Sequence, residues 1–334
     1  QPTAIVPITA TRGARRGGGC GGRQEGPVAM GGDGAGRSAA SPARRRRGPE
    51  DLAIVAFDRG NYASYSACGI PYCVGGAVDD LDALITRTPA KFRDDYAIDV
   101  HLRHDVVAID VARGAVQVTS LDDRASRWEA FDQLMVATGA APIRPAVPGI
   151  DAEGIFGVQT LDDGVALRRA IERRRPERVV IVGGGYIGLE MAEAFGTLGI
   201  DTHLVDAGPQ VMATLDPDMA GRVADALREF GTSLHLDERV IGFETTAGRV
   251  SAVVTEHVTL PADLVVLGLG AEPNTALAVS AGIPTGPRGA LAVDDRQRAP
   301  SEPVAAAGGC AERPDRGPSR PAAPPLGPPP HQQA

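Results

Sequence analysis

The amino-acid sequence predicts an α/β protein of two doubly wound domains, and three observations predict it. Two segments, residues 28–58 and 178–206, repeat one order: apolar strand, glycine cluster, small-residue helix, apolar strand, acid. Such alternation makes parallel strands joined by right-handed crossovers. Residues 134–137 and 264–267 are continuous apolar runs, the pattern of strands covered on both faces. A length of 334 residues with 43% hydrophobic content gives each of two domains an ordinary core.

Residues 1–26 are rich in glycine and arginine, show no apolar period, and are expected to be disordered. The first unit then runs through a strand at 28–30, glycines at 31–36, a helix, and a strand at 52–57 that ends at Asp58. A further strand is expected at 106–111. His101 and His104 fall on an expected strand at 99–103. Without cysteine or carboxylate at metal spacing, they are taken as surface residues, not ligands. The second unit has a strand at 179–182, a helix at 186–198 and a strand at 202–205 that ends at Asp206. From 311 onward proline, alanine and glycine dominate, which predicts a disordered tail.

The glycine turns carry the first chemistry. Gly183, Gly185 and Gly188 form a GxGxxG turn between strand and helix. The first glycine makes a tight turn, the second lets a pyrophosphate approach the backbone, and the third lets helix and strand pack closely. The helix start adds unpaired N–H groups and a partial positive charge. Asp206 lies 18 residues past Gly188, where a carboxylate takes ribose hydroxyls and repels a 2′-phosphate. That favours NADH over NADPH. In the first cluster Asp33 replaces the middle glycine between Gly31 and Gly36, so its carboxylate must turn away from a diphosphate. Asp58 follows 22 residues after Gly36. These are two Rossmann-like dinucleotide-binding units; for the first alone, a glycine-rich loop without ligand is the other reading.

Charge and composition exclude other classes. A net charge of −8 gives no basic field for nucleic acid. The four-arginine run at 44–47 reads as a solvated helix end. No run approaches the roughly 18 apolar residues of a membrane span, and no signal-peptide pattern opens the chain. Four cysteines in this length make no disulfide scaffold, so a cytoplasmic location is expected.

Cys68 and Cys73 lie just beyond the first unit. A thiol there, near a helix start, would favour the reactive thiolate. A buried small hydrophobe is the other reading. The two could also act as an internal dithiol, although positions five apart on a regular helix are too distant to bond.

Taken together, these motifs resemble the pyridine nucleotide-disulfide oxidoreductases, in the single-cysteine branch with coenzyme A-disulfide reductase and NADH oxidase or peroxidase. The resemblance spans roughly residues 27–310. Cys68-Gly69-Ile70-Pro71-Tyr72 is similar to the redox segment, and Ala137-Thr138-Gly139 to the turn where the chain leaves the flavin domain. The run from Gly183 to Glu190 is similar to the NAD(P)H fingerprint. Gly270-Ala271-Glu272-Pro273-Asn274 resembles the return crossing, and Ala306-Ala307-Gly308-Gly309-Cys310 the second flavin motif.

The resemblance implies an FAD domain split between 27–150 and 276–310, with the NAD(P)H domain, 151–275, inserted. It implies cofactor contacts at Gly31, Gly36, Asp58, Thr138, Gly139, Gly270 and Gly308 on one side. On the other are Gly183, Gly185, Gly188, Glu190 and Asp206, with Tyr186 gating the nicotinamide. Electrons would pass from NAD(P)H through FAD to Cys68, which reduces a small disulfide such as coenzyme A disulfide. Two alternatives stand beside it: an NADH oxidase or peroxidase cycling Cys68 through a sulfenic acid, and a catalytically impaired nucleotide-binding remnant. Relatives are homodimers through a C-terminal interface domain, which the proline-rich tail 311–334 would replace. Three features depart from the pattern. Gly309 stands where relatives have an aspartate that binds the flavin's ribityl chain; a lost charged hydrogen bond costs about 1.5–3 kcal/mol. Pro42 falls inside the first helix, at a cost of about 3 kcal/mol. Residues 299–303 are unlike the family's approach to its second flavin motif.

Overall fold

The computed structural model describes residues 8–10 and 53–313. The strand expected at 28–30, Gly31, Gly36, Pro42 and the arginines at 44–47 lie outside the described residues. The chain divides into two compact units. Among the described residues, one holds 8–10, 53–65, 85–141 and 273–313; the other holds 66–84 and 142–272. The cysteine segment Ser66–Leu84, expected in the flavin part, thus groups with the second unit.

In chain order the elements begin with β1 (Ile8–Ala10), β2 (Ile54–Asp58), α1 (Ile70–Val74), α2 (Pro89–Tyr96) and β3 (Ile98–Leu102). There follow β4 (His104–Asp110), β5 (Ala115–Ser120), β6 (Ser126–Ala130) and β7 (Leu134–Val136). The middle of the chain supplies β8 (Ile155–Gly157), α3 (Leu161–Arg174), β9 (Arg178–Val182), α4 (Tyr186–Thr197), β10 (Asp201–Val205) and α5 (Pro217–Glu229). Then come β11 (Ser233–His235), β12 (Val240–Thr246), β13 (Arg249–Thr255), β14 (Thr259–Pro261), β15 (Leu264–Leu267) and α6 (Ala276–Ser280). The last are β16 (Leu291–Ala292), β17 (Val304–Ala306) and β18 (Ala311–Glu312).

The first unit's main sheet runs β17-β7-β1-β2-β3. β17 pairs parallel with β7, and β2 with β3. β7 explains its own apolar run: Leu134 and Val136 enter one buried cluster with Phe57, Ala306 and Cys310, while Met135 enters another with Ile54, Phe92 and Ile98. A strand covered on both faces has no polar side to show.

β1 corrects two expectations. Part of residues 1–26 is a strand, and this sheet is not wholly parallel, because Thr9 pairs antiparallel with both Ala56 and Met135. The inner edges of β2 and β7 need hydrogen-bond partners, and an antiparallel ladder satisfies them as fully as a parallel one.

Two smaller corrections follow. His101 lies on β3 and His104 opens β4. Both are half-buried, and their ring centroids stand 5.4 Å and 6.3 Å from that of Phe57. Residues 311 and 312, expected in the disordered tail, form a strand instead, because β18 pairs parallel with β16. Glu312 is buried there, and its carboxylate accepts both the backbone N–H and Nε of Arg288 at 3.0 Å.

The second unit carries a sheet ordered β8-β15-β9-β10-β11, parallel at every step. α3 starts on a capping box, in which Thr160 and Asp163 satisfy each other's backbone N–H. It buries Leu161, Gly164, Leu167 and Ala170, one helical face. The antiparallel β12-β13-β14 covers this unit's core through Phe243, Val250, Val253 and Leu260.

Candidate functional site

The second unit's site is built on the turn from β9 into α4. Gly183 sits at φ +110°, which favours glycine, and a Cβ on it would stand 2.5 Å from the Gly268 carbonyl oxygen. A Cβ on Gly188 would collide with the Gly183 carbonyl oxygen. Gly185 differs: the nearest atom to a Cβ there is 4.0 Å away, so its face is open. Gly185 caps α4 without any side-chain hydrogen bond, leaving first-turn N–H groups for a ligand. Shape and donors therefore fit a diphosphate.

Asp206 ends β10 beside this turn. Its carboxylate accepts the N–H of Gly184 at 2.6 Å and of Gly208 at 2.7 Å. The acid thus first shapes the loop. A carboxylate has about four acceptor sites, so capacity remains for ribose hydroxyls. Tyr186, the first residue of α4, is 62% exposed. Glu190 is exposed one turn further on; partial burial and then the charge of Glu193 push its carboxyl above the usual range.

Cys68 belongs to the same unit, in a 3₁₀ turn, Ala67–Gly69, that leads into α1. It is exposed, while Cys73 is buried, and both are thiols. No disulfide joins them: Cys68 lies in the turn before α1 and Cys73 within the buried part of α1.

In the first unit two turns emerge side by side from the paired strands β7 and β17. The Ala307 N–H donates to Val136 O at 3.0 Å. Thr138, 1% exposed, donates its hydroxyl to Asn274 O, and the Asn274 amide returns a bond to Thr138 O at 3.0 Å. The Asn274 N–H bonds Gly139 O at 3.0 Å. Gly308 opens the turn that ends in Cys310, whose thiol is pushed up by burial and bonds Ala307 O at 3.3 Å. A Cβ at Gly309 would stand 3.5 Å from that of Ala140, ordinary contact. Asp58, 5% exposed, closes β2 and accepts the Gly60 N–H at 2.8 Å. Thr138, Gly139, Gly308 and Gly309 are thus brought together. Gly270 lies in the second unit, where its carbonyl accepts Ile143 N–H at 3.0 Å.

Sequence reasoning missed Gly268, which backs the phosphate turn, and Arg168, which reaches Cys73. The first had a signal: a glycine ending an apolar strand marks close backbone approach. The second had none, since its contacts span 95 residues. Among the described residues no group of three His, Cys, Asp or Glu could hold a metal, and no helix is long and apolar enough to cross a membrane.

One unit of the chain holds a parallel sheet, a turn whose shape and donors fit a diphosphate, and an exposed thiol, and the other is a second α/β unit; these are the features of a nucleotide-binding redox protein. The chain belongs to the pyridine nucleotide-disulphide oxidoreductase family, which it matches over residues 28–323. It is 37% identical over 287 residues to a CoA-dependent NAD(P)H sulfur oxidoreductase of Pyrococcus abyssi, covering 85% of this chain and 62% of that protein. An NADH oxidase of Methanocaldococcus jannaschii is 32% identical over 289 residues, covering 85% and 63%. The solved NAD-dependent persulfide reductase from A. fulgidus superposes with a TM-score of 0.80 at 34% identity, covering 86% of this chain and 53% of that one. The chain thus spans about three fifths of the length of these curated relatives.

Proposed function

We propose that this chain acts as an FAD-dependent NAD(P)H oxidoreductase that reduces a small disulfide, of the coenzyme A disulfide type, through Cys68. The observation that carries the reading is the exposed Cys68 thiol in a unit that also bears the open Gly185 turn. Domain bounds of 27–150 with 276–310 for flavin, and 151–275 for nicotinamide, belong to the same proposal.

Gly183, Gly185 and Gly188 would seat the NAD(P)H diphosphate on the first turn of α4. Asp206 would take ribose hydroxyls and favour NADH. Tyr186 would cover the nicotinamide, with Glu190 behind it. Gly31, Gly36, Asp58, Thr138, Gly139 and Gly308 would line the flavin, and Gly270 would be a cofactor contact of the second unit. The flavin supplies a two-electron relay between nicotinamide and thiol. The Cys68 thiolate attacks one sulfur of the disulfide. The S–S bond breaks, one thiol leaves with a proton, and a mixed disulfide on Cys68 remains. Two electrons from NADH, with the second proton, cleave it and release the other thiol. A cytoplasmic location belongs to the same proposal.

The similarity to an NADH oxidase supports a second reading, in which Cys68 cycles through a sulfenic acid. Anaerobic NADH oxidation with coenzyme A disulfide tests the first. Two thiols formed per NADH, lost in Cys68→Ser, is the expected result. Oxygen or peroxide consumption without thiol formation supports the second. A colourless protein that does not oxidise NADH retires both in favour of a nucleotide-binding remnant.

A further inference from the structure

One guanidinium ties the cysteine-bearing segment into its unit. Arg168 stands on α3, its side chain 28% exposed. Its Nη1 donates to Val78 O at 3.2 Å, Asp79 O at 3.3 Å and Cys73 O at 3.4 Å, and lies 3.6 Å from Cys73 Sγ. Nη2 stands 3.9 Å from the Asp79 carboxylate, and Nε donates to Glu172 at 3.1 Å. One side chain therefore gathers the end of α1 and the turn after it.

α1 depends on such support. A helix of five residues cannot hold its own geometry in water, since isolated helices below about 12–15 residues are marginal. Its flanks are packed: Gly164, one turn before Arg168 on α3, leaves space for Ile70, and Gly75 lies against Ala194 of α4. The base of the segment is closed by the Ser66 N–H on Leu84 O at 2.8 Å. Between that base and Arg168 lies Cys68, in the 3₁₀ turn closed by the Gly69 N–H on Ser66 O at 3.1 Å and continuous with the start of α1.

We propose that Arg168 is the positioning residue for Cys68, fixing α1 and the following turn so that the thiol is presented in one attitude to disulfide and reductant. This rests on the disulfide-reductase reading above. Arg168 touches no reacting atom in it. Its planar fork reaches several carbonyls at once, which a lysine ammonium cannot do equally.

The test uses the full chain with Arg168→Ala, Arg168→Lys and, as a control that removes only the Nε partner, Glu172→Ala. Three quantities are read: NADH oxidation with coenzyme A disulfide, NADH-driven reduction of dichlorophenolindophenol, which bypasses Cys68, and peptide-resolved iodoacetamide labelling of Cys73. In Arg168→Ala the disulfide kcat falls about tenfold or more, because a displaced nucleophile loses its attack geometry. KM for NADH and the dye rate stay within about twofold of the parent. Cys73 labelling rises about fivefold or more as its cover opens. Arg168→Lys recovers part of the kcat, and Glu172→Ala matches the parent. A parental disulfide kcat in Arg168→Ala overturns the proposal, as does a dye rate that falls in proportion. If Arg168→Ala does not fold, Arg168→Lys and Arg168→Gln decide by the same split. A parent that reduces dye but no disulfide sinks the disulfide reading instead, and Cys73 labelling, which needs no substrate, then decides whether Arg168 is the tether.

Discussion

The Asp206 carboxylate accepts the backbone N–H of Gly184 across the turn between β9 and α4, at 2.6 Å. With its second oxygen on the Gly208 N–H, the acid braces two loops, besides the ribose-binding role proposed for it. Asp206→Asn can satisfy only one of those donors with its single carbonyl. It should lose about 1–3 kcal/mol of stability, seen as a lower urea midpoint, and narrow the preference for NADH over NADPH. An unchanged midpoint with an unchanged preference would show that the acid does neither.

The glycines of the turn separate folding from binding. Gly185→Ala meets open space and should leave the melting temperature close to the parent's while raising KM for NADH about tenfold, since its methyl occupies the diphosphate's place. Gly188→Ala drives a methyl into the Gly183 carbonyl and should cost about 1–3 kcal/mol in denaturant unfolding. Equal stability losses for the two would contradict this division.

Gly309 offers a gain of function. The contacts around a Cβ there are ordinary, at 3.5 Å and beyond, so Gly309→Asp should fold. Restoring a charged acceptor should tighten flavin binding about tenfold or more, measured as the free flavin remaining on titration. Weaker or equal retention would place the ribityl chain elsewhere.

His235 makes the second unit sensitive to acid. Its ring stacks on His203 with centroids 5.2 Å apart, and Nε2 lies 2.9 Å from His203 Nδ1. Burial, then the charge of His203, pulls its pKa down. A histidine depressed in the fold binds its proton more readily when unfolded. Its stabilising contribution is therefore present above the unfolded value of about 6.5 and lost as pH falls from there through the folded value. Between about pH 7 and 5 the urea midpoint should drop, and His235→Gln should flatten that slope. The same slope in both proteins would assign the sensitivity elsewhere.

The sequence made legible those elements whose signal is local. β15 falls on the run 264–267 because all four residues are buried in a parallel sheet. The helix expected at 186–198 is α4, Tyr186–Thr197, because the glycine turn sets its start. What was hidden depends on distant chain. Nothing near Ile8–Ala10 announces a strand whose partners lie at 54–58 and 134–136. Likewise, the spacing of Cys68 and Cys73 left open which thiol is exposed; α1 packs against α3 and α4 with Cys73 buried, and Cys68 in the preceding turn is exposed. Arg168 carries no local signal, because the carbonyls it bonds lie 89 to 95 residues away in the chain.

Where Gly183, Gly188 and Gly268 converge, the nearest atoms to a Cβ on any of them belong to main chain. A mismatch in an ordinary core can be relieved by trimming a neighbour. Here nothing is left to trim, so a substitution at any one of the three has no second-site suppressor within the joint. Over divergence the trio should drift only as a block, or not at all.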